Sequence, residues 1–301
     1  MHKTLLVLLG PTGSGKTDVS IVLARHFNTE IISSDSRQFF HEIPVGTSAP
    51  APEQLNSVRH HFIGNLSLTD YYSASRFESE VLSLLDKLFL DNDIVIMSGG
   101  SGMYIDAVCN GIDDIPDVDP AIREKYIKMH RDEGVESLRN ALKILDPEHY
   151  SKVDLKNYKR IIRALEICET TGKPYSSFMT SVKRERKFRI IKIGLDRPRE
   201  ELFSRINRRV DQMLENGLEE EARKYYSLRQ LNSLNTVGYK EFFEYFDGKI
   251  SREKAIELIK RDTRRYAKRQ LTWWAKDKTI KWFNPENPYQ IISYITDCIN
   301  N

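Results

Sequence analysis

Residues 4–17 read Thr4-Leu5-Leu6-Val7-Leu8-Leu9-Gly10-Pro11-Thr12-Gly13-Ser14-Gly15-Lys16-Thr17. An apolar run without alternation, cut short by glycine and proline, marks a strand buried on both faces. The helical spacing of Val19, Val22, Leu23 and Phe27 begins directly after the turn. The turn fits G-x-x-x-x-G-K-[ST] at every position, in the strand–turn–helix context that the pattern requires. Its glycines let backbone N–H groups converge on phosphate oxygens, and the helix start adds its positive dipole end. Lys16 supplies a full charge, and the Thr17 hydroxyl is a candidate Mg²⁺ ligand. Gly10, Thr12, Gly13, Ser14, Gly15, Lys16 and Thr17 are therefore the candidate phosphate contacts. This is the signature of a nucleotide-binding P-loop, ATP-binding proteins included, yet it specifies a polyphosphate and not its hydrolysis.

Outward from this stretch, Ile31-Ile32 opens a second strand that ends at Asp35. Arg76 to Phe89 is an amphipathic helix through Phe77, Val81, Leu84, Leu85 and Leu88. Asp93 to Met97 is a further apolar strand, stopped by Ser98-Gly99-Gly100. Alternating apolar strands and helices imply a parallel sheet covered on both faces, with ligands beyond the carboxyl ends of the strands. The turns at Gly10, Ser34 and Ser98 all lie at that end. The run Asp113 to Pro120, with two prolines and four aspartates, reads as a boundary. From Ala121 to about Phe178 the chain is helical with no apolar strand, and Phe188 to Leu195 returns to strand composition. Arg199 to Asn216, closed by Gly217, and Ser251 to about Lys276 are the later helices. The expected fold class is α/β: a P-loop NTPase-like parallel sheet with helices on both faces, plus an inserted all-helical subdomain. Residues 1–116 and 187–301 form the core with its basic C-terminal helices, and 117–186 form the helical insertion.

The chain has 301 residues, 40% hydrophobic and 30% charged, which suits a globular protein. No apolar run is long enough to span a membrane, and Gly10-Pro11 interrupts the opening stretch too early for a signal peptide, so a cytoplasmic location is expected. Cys109, Cys168 and Cys298 stand far apart and are expected as buried thiols. The adjacent pair His60-His61 does not converge on an ion, and Trp273, Trp274 and Trp282 are expected in the core. The net charge of +3 is small, but Ser251 to Lys278 holds ten Lys/Arg against four acidic residues. Helical spacing places Ile256, Ile259, Thr263, Tyr266, Ala267, Gln270 and Trp274 on one face and Arg261, Arg264, Arg265 and Lys268 on another. That is the pattern of a docked helix carrying a cationic ridge for nucleic-acid phosphates, or of a solvated face. Arg160 and Arg163, with Lys159, repeat it in the insertion.

Asp35 should sit beside the phosphate loop. A carboxylate there serves as a Mg²⁺ ligand, as a general base, or as a turn cap. The strand Ile94 to Met97 ends in Ser98-Gly99-Gly100 and not in the aspartate that nucleotide-hydrolysing enzymes use for Mg²⁺. An ordinary ATPase, GTPase or small-molecule kinase is therefore disfavoured.

Gly10 to Thr17, Asp35-Ser36-Arg37-Gln38, Gly46-Thr47, Tyr72 to Phe77 and Gly99-Gly100-Ser101-Gly102-Met103-Tyr104 occur in that order. Arg163 to Glu166, Gly238-Tyr239-Lys240-Glu241 and Tyr266 to Trp273 follow. Together, from about residue 4 to 283, they resemble the tRNA dimethylallyltransferase family. That resemblance implies transfer of a dimethylallyl group from dimethylallyl diphosphate to the N6 amine of the adenine 3′ of the anticodon (position 37) in tRNA. It implies that the P-loop holds the diphosphate with Mg²⁺, and that Asp35 is the general base. It gives Ser101, where the family usually has threonine, the reacting amine or a diphosphate oxygen, Arg209 the diphosphate, and Arg123 the RNA near the reaction site. The implied contacts with the tRNA anticodon stem-loop are Asp35, Ser36, Arg37, Gln38, Lys159, Arg160, Ile161, Ile162, Arg163, Gly238, Tyr239 and Lys240. Where the family often reads Gly-Thr-Ala-Lys-Pro, this chain has Gly46-Thr47-Ser48-Ala49-Pro50 and lacks the lysine. The expected form is a monomer without membrane association. The nearest rival is an adenylate isopentenyltransferase acting on free AMP, ADP or ATP, and a non-catalytic RNA-binding protein is a further one.

Overall fold

The strands form one all-parallel sheet in the order β3–β2–β4–β1–β5–β6, of which β2, β4 and β1 are too apolar to face water on either side. They are β1 (Thr4–Leu9), β2 (Ile31–Ser33), β3 (His60–His61), β4 (Ile94–Gly99), β5 (Arg189–Leu195) and β6 (Lys281–Phe283). The structure is a computed structural model that describes residues 3–113, 115, 118–180 and 183–300. Between the strands run α1 (Lys16–His26), α2 (Pro52–Ser57), α3 (Ala74–Asp91) and α4 (Gly102–Asn110). Next come α5 (Pro120–Glu133), α6 (Val135–Leu145), α7 (Pro147–Lys152) and α8 (Tyr158–Thr171). The chain closes with α9 (Arg199–Glu215), α10 (Leu218–Lys224), α11 (Tyr239–Phe246), α12 (Arg252–Trp274) and α13 (Pro288–Asn300).

β1 is central, pairing Leu5 with Val95 of β4 and with Ile190 of β5. Leu5, Val7 and Leu9 pack with Phe77, Val81 and Leu85 of α3 and Val108 of α4. Leu6 and Leu8 pack on the other face with Leu23 of α1 and Ile291 and Ile295 of α13. Every β1 side chain is thus buried, which is why the run shows no polar alternation, and each leucine contributes about 1.5–3 kcal/mol by burial. α9 to α12 enclose a satellite core of Val210, Leu218, Tyr239, Phe242 and Ile259.

The chain divides into two compact units, Met1–Asn110 with Glu185–Asn301, and Gly111–Arg184. Of the expected boundary run, Asp114, Pro116 and Asp117 lie outside the described residues. The second unit consists of α5 to α8 around Tyr126, Leu138, Leu142, Ile161, Ile162 and Leu165. Asp119 caps α5 by accepting from the Ala121 amide. Asp146, fully buried, accepts from the His149 amide and from the Ser176 amide and hydroxyl, which holds its carboxyl below the usual range despite burial. Among the described residues, no helix is long and apolar enough to cross a membrane.

Several expectations are corrected. Trp274 is buried, but Trp273 is 50% exposed, and Cys298 is only partly buried. Arg264 does not join a free ridge: it donates to Asn207 of α9 at 2.6 Å. His60 and His61 form the short β3, where His61 meets Glu30 and His60 meets the Val58 carbonyl.

The turns after β2 and β4 touch. A Cβ at Gly99 would lie 2.3 Å from Ser34 Oγ and 2.4 Å from the Ser34 carbonyl carbon. Gly99→Ala is therefore expected to destabilise the fold by about 1–3 kcal/mol through overpacking. Calorimetry should show a lowered Tm, and an unchanged Tm would refute the close approach.

Candidate active site

Two cavities meet at the carboxyl ends of β1, β2 and β4. The first, of about 480 Å³, is walled by Thr12, Gly13, Gly15, Lys16 and Thr17 of the phosphate loop, and by Asp35, Ser48 and Gln270. α9 adds Arg205, Arg208, Arg209 and Gln212. The second, of about 330 Å³, is walled by Asp35, Ser36, Arg37, Gly46, Thr47, Lys240, Tyr266 and Arg269, among others. Thr12, Asp35 and Arg209 line both, so they form the seam between two chambers.

The first chamber is built for an anion. Gly15, in the left-handed region at φ 98°, starts α1 without a capping side chain, leaving the helix amides to a ligand. The Lys16 ammonium donates to the carbonyls of Gly10 at 2.8 Å and Pro11 at 3.0 Å. Burial pushes its pKa down to about 8; Asp35 works against that shift and Arg209 adds to it. Burial also lowers the pKa of Arg209, which donates to Ser48 Oγ at 2.7 Å. α9 packs directly on the loop: a Cβ at Gly13 would lie 3.0 Å from Ile206, and Arg205 donates to the Gly13 carbonyl at 3.0 Å. The apolar row Leu202, Ile206 and Val210 faces the core, so Arg205, Arg208, Arg209 and Gln212 face the chamber. Ala49 stands in the chamber wall where the family resemblance suggests a lysine, and α9 provides the cations.

Buried Gln270 of α12 fixes the loop. Its Oε1 accepts from the Thr12 amide at 2.9 Å and its Nε2 donates to the Gly100 carbonyl at 2.8 Å. In the seam itself, Asp35 accepts from the Arg37 amide at 3.1 Å. Tyr266 is pushed up to about 12 by burial and by Asp35, so its phenol stays a neutral donor at physiological pH.

The expected site residues divide. Thr12, Gly13, Gly15, Lys16, Thr17, Asp35 and Arg209 line the first chamber, whereas Gly10 and Ser14 are buried behind its wall. The Ser101 hydroxyl accepts from the Ser36 amide at 2.9 Å and donates to Ser36 Oγ at 3.1 Å, bracing the Asp35-Ser36 turn, and it also lies beside the phenol of Tyr266. Arg37 lines the second chamber while its guanidinium holds the carbonyls of Asn232 and Ser233. Gln38 holds the carbonyls of Thr47 and Ser48. Tyr239 is corrected from RNA contact to core, fully buried with its phenol on Glu221, and the Gly238 amide donates to Glu241. Lys240 is exposed.

Within the helical unit, Ile161 and Ile162 are likewise corrected to core, because helical periodicity turns them inward. Lys159 and Arg160 are exposed. Arg123 and Arg163 flank the buried carboxylate of Glu166 at 3.6 and 3.4 Å. A cleft of about 470 Å³ in the same unit is lined by His149, Lys152, Arg160 and Arg163. Sequence reasoning missed Arg205, Arg208 and Gln270 as site residues. The i, i+3, i+4, i+7 row Arg205-Arg208-Arg209-Gln212 was a readable signal for the first two.

The lowered Lys16 pKa has a pH consequence. Between about pH 8 and the ordinary lysine value of 10.5, the folded protein binds fewer protons than the unfolded chain. This group's contribution therefore makes stability rise with pH across that window, and below it the full cost of burying the charge is present. A bound diphosphate monoester restores the charged form, so binding at about pH 9 should take up a proton, and binding at about pH 7 should not. Calorimetry in two buffers of different ionisation enthalpy reads the uptake. Equal heats at the higher pH, or uptake surviving in Lys16→Met, would exclude Lys16 as its source.

Known proteins match the chain over nearly its whole length. A family model described as IPP transferase matches residues 38–277. A tRNA dimethylallyltransferase 1 of Bacteroides fragilis (strain YCH46) is 56% identical over 97% of both chains. A tRNA dimethylallyltransferase of Christiangramia forsetii is 51% identical over 100% of both. Among solved structures, the full-length tRNA isopentenylpyrophosphate transferase of Bacillus halodurans is 34% identical, with a TM-score of 0.71 over 98% of this chain and 96% of that one. A eukaryotic dimethylallyltransferase acting on tRNA is 29% identical, with a TM-score of 0.78 over 94% of this chain and 74% of that one. The phosphate loop opening onto Asp35, and a match that runs through both chambers and the helical unit, place the chain in the IPP transferase family.

Proposed function

We propose that this chain transfers a dimethylallyl group from dimethylallyl diphosphate to the exocyclic N6 amine of the adenine 3′ of the anticodon in tRNA, releasing diphosphate. The observation that carries the reading is the seam: Asp35 and Arg209 line both a cationic chamber and a second chamber edged by Lys240 and Arg269. The diphosphate lies on the α1 amides, Lys16 and the α9 arginines. The adenine enters the second chamber after leaving the anticodon-loop stack.

The amine is a weak nucleophile because its lone pair is delocalised into the ring. Asp35 accepts its proton as the N–C bond forms, which is worth roughly 10²- to 10⁴-fold. Arg209 and Lys16 meet the negative charge that grows on the departing diphosphate. The Asp35 carboxylate also favours the cationic allylic carbon between them. Thr17 and Asp35 line the chamber, and one hydroxyl, one carboxylate and phosphate oxygens are a donor set that suits Mg²⁺. When bound, Mg²⁺ would neutralise diphosphate charge. The exposed Lys159 and Arg160, and the cleft beside Arg160 and Arg163, favour a polynucleotide over free AMP as acceptor. We further propose that the enzyme acts in the cytoplasm as a monomer.

The test is a transfer assay with labelled donor and either unmodified tRNA or AMP. Label in tRNA is expected, and label in AMP alone would move the protein to the nucleotide-modifying class. Asp35→Asn should lower kcat by about 10²- to 10⁴-fold with tRNA affinity kept, and unchanged turnover would remove Asp35 as the base. Arg209→Ala should weaken use of the donor and leave RNA binding intact, as separate titrations of each ligand would show.

A further inference from the structure

Trp273 has an unusual setting for a tryptophan. It is 50% exposed, yet its ring is fixed. The indole N–H donates to Asp106 at 2.8 Å, and the ring edge lies on the turn at Gly102, where a Cβ would be 2.5 Å from Trp273 Cδ1. The side chain therefore cannot fold back to hide its face.

Its position on α12 gives that face a context. Tyr266 and Arg269 line the second chamber. Trp273 follows Arg269 by one helical turn, roughly 6 Å along the axis, and shares a face with Tyr266 by its seven-residue spacing. Exposed Lys268, Arg269 and Lys276 surround it in sequence and supply the charge for a nucleic-acid backbone. Leu90 and Tyr289 are more exposed still, but they lie on α3 and α13, whose residues line neither chamber.

We propose that Trp273 is a stacking platform for the nucleobase adjoining the adenine held in the second chamber. The inference rests on the reading of that chamber as the adenine site. Drawing one base out of the anticodon-loop stack deprives its neighbour of a stacking partner, and a fixed, half-exposed indole one helical turn away replaces it.

The experiment uses the full chain and a fluorescent, unmodified anticodon stem-loop, intact or with a single abasic nucleotide on the 5′ or 3′ side of the target adenine. Trp273→Leu should weaken binding of the intact RNA by about 5- to 100-fold. Trp273→Phe, which keeps a ring and loses the Asp106 bond, should recover most of that loss. One of the two abasic RNAs should bind the wild-type protein with a similar loss, and should bind Trp273→Leu no worse than the intact RNA does. Losses that add in this cycle, or intact RNA bound by Trp273→Leu as by wild type, would overturn the platform. Wild-type transfer to tRNA in the same preparation separates that failure from a failure of the enzymatic reading. If Trp273→Leu does not fold, the phenylalanine variant decides: binding that falls as far as an abasic site makes it fall overturns the proposal.

Discussion

Concentrated positive charge is the constraint around which this molecule is organised. Lys16, Arg205, Arg208 and Arg209 line one chamber with only Asp18 and Asp35 as carboxylates. Burial strips these cations of water, and the depressed ammonium of Lys16 is the symptom, with Arg209 adding a smaller repulsion. The fold tolerates this because carbonyls hold the cations: Gly10 and Pro11 for Lys16, Gly13 for Arg205, and Thr47 for Arg209. Those carbonyls are held in turn by the buried β1 and by α9 packed on Gly13. The stability of the hydrophobic layers thus keeps a site poised for a ligand that will complete its electrostatics.

The same arrangement explains how a nucleotide-type loop serves alkyl transfer. Nucleotide hydrolases place a carboxylate at the end of a second strand to manage Mg²⁺. Here β4, beside β1, ends in Ser98-Gly99, because the turn after β2 presses against it at Ser34. The carboxylate stands instead after β2, as Asp35, where it lines both chambers. In the reaction proposed above, a carboxylate at that seam faces an incoming nucleophile and the leaving anion at once. Ser101 contributes by bracing the turn that carries Asp35.

Much of this was legible because it is local. The loop, its strand and its helix lie within one short stretch, and fully buried strands are unbroken apolar runs. The position of the loop and of Asp35 at one chamber was therefore readable in the sequence. Gln270 was legible only as a buried position on α12, since its partner Thr12 is 258 residues away. The arginine row of α9 was hidden behind a good apolar stripe that already accounted for the helix. Runs were read too generously: Ile161 and Ile162 sit between real surface cations, and helical periodicity turns them inward. Tyr239 lies in a recognisable motif, yet its phenol is buried on Glu221. Trp273 departed from expectation because hydrophobicity alone cannot distinguish a ring locked on a surface turn from one in the core.

The central place of β1 also bears on how the chain reaches its native state. β1 leaves the ribosome well before its partner Ile190 in β5, which is synthesised only after the whole of α5 to α8. Until then one side of the most apolar strand is an open edge, a hazard for mispairing that a nascent chain must survive. α5 to α8, whose contacts are local, can form while the sheet waits, whereas closure of β1 against β5 carries the loop entropy of the whole intervening segment. Assembly of the phosphate chamber thus waits for β5 and for the α9 that follows it, long after its signature loop has been made.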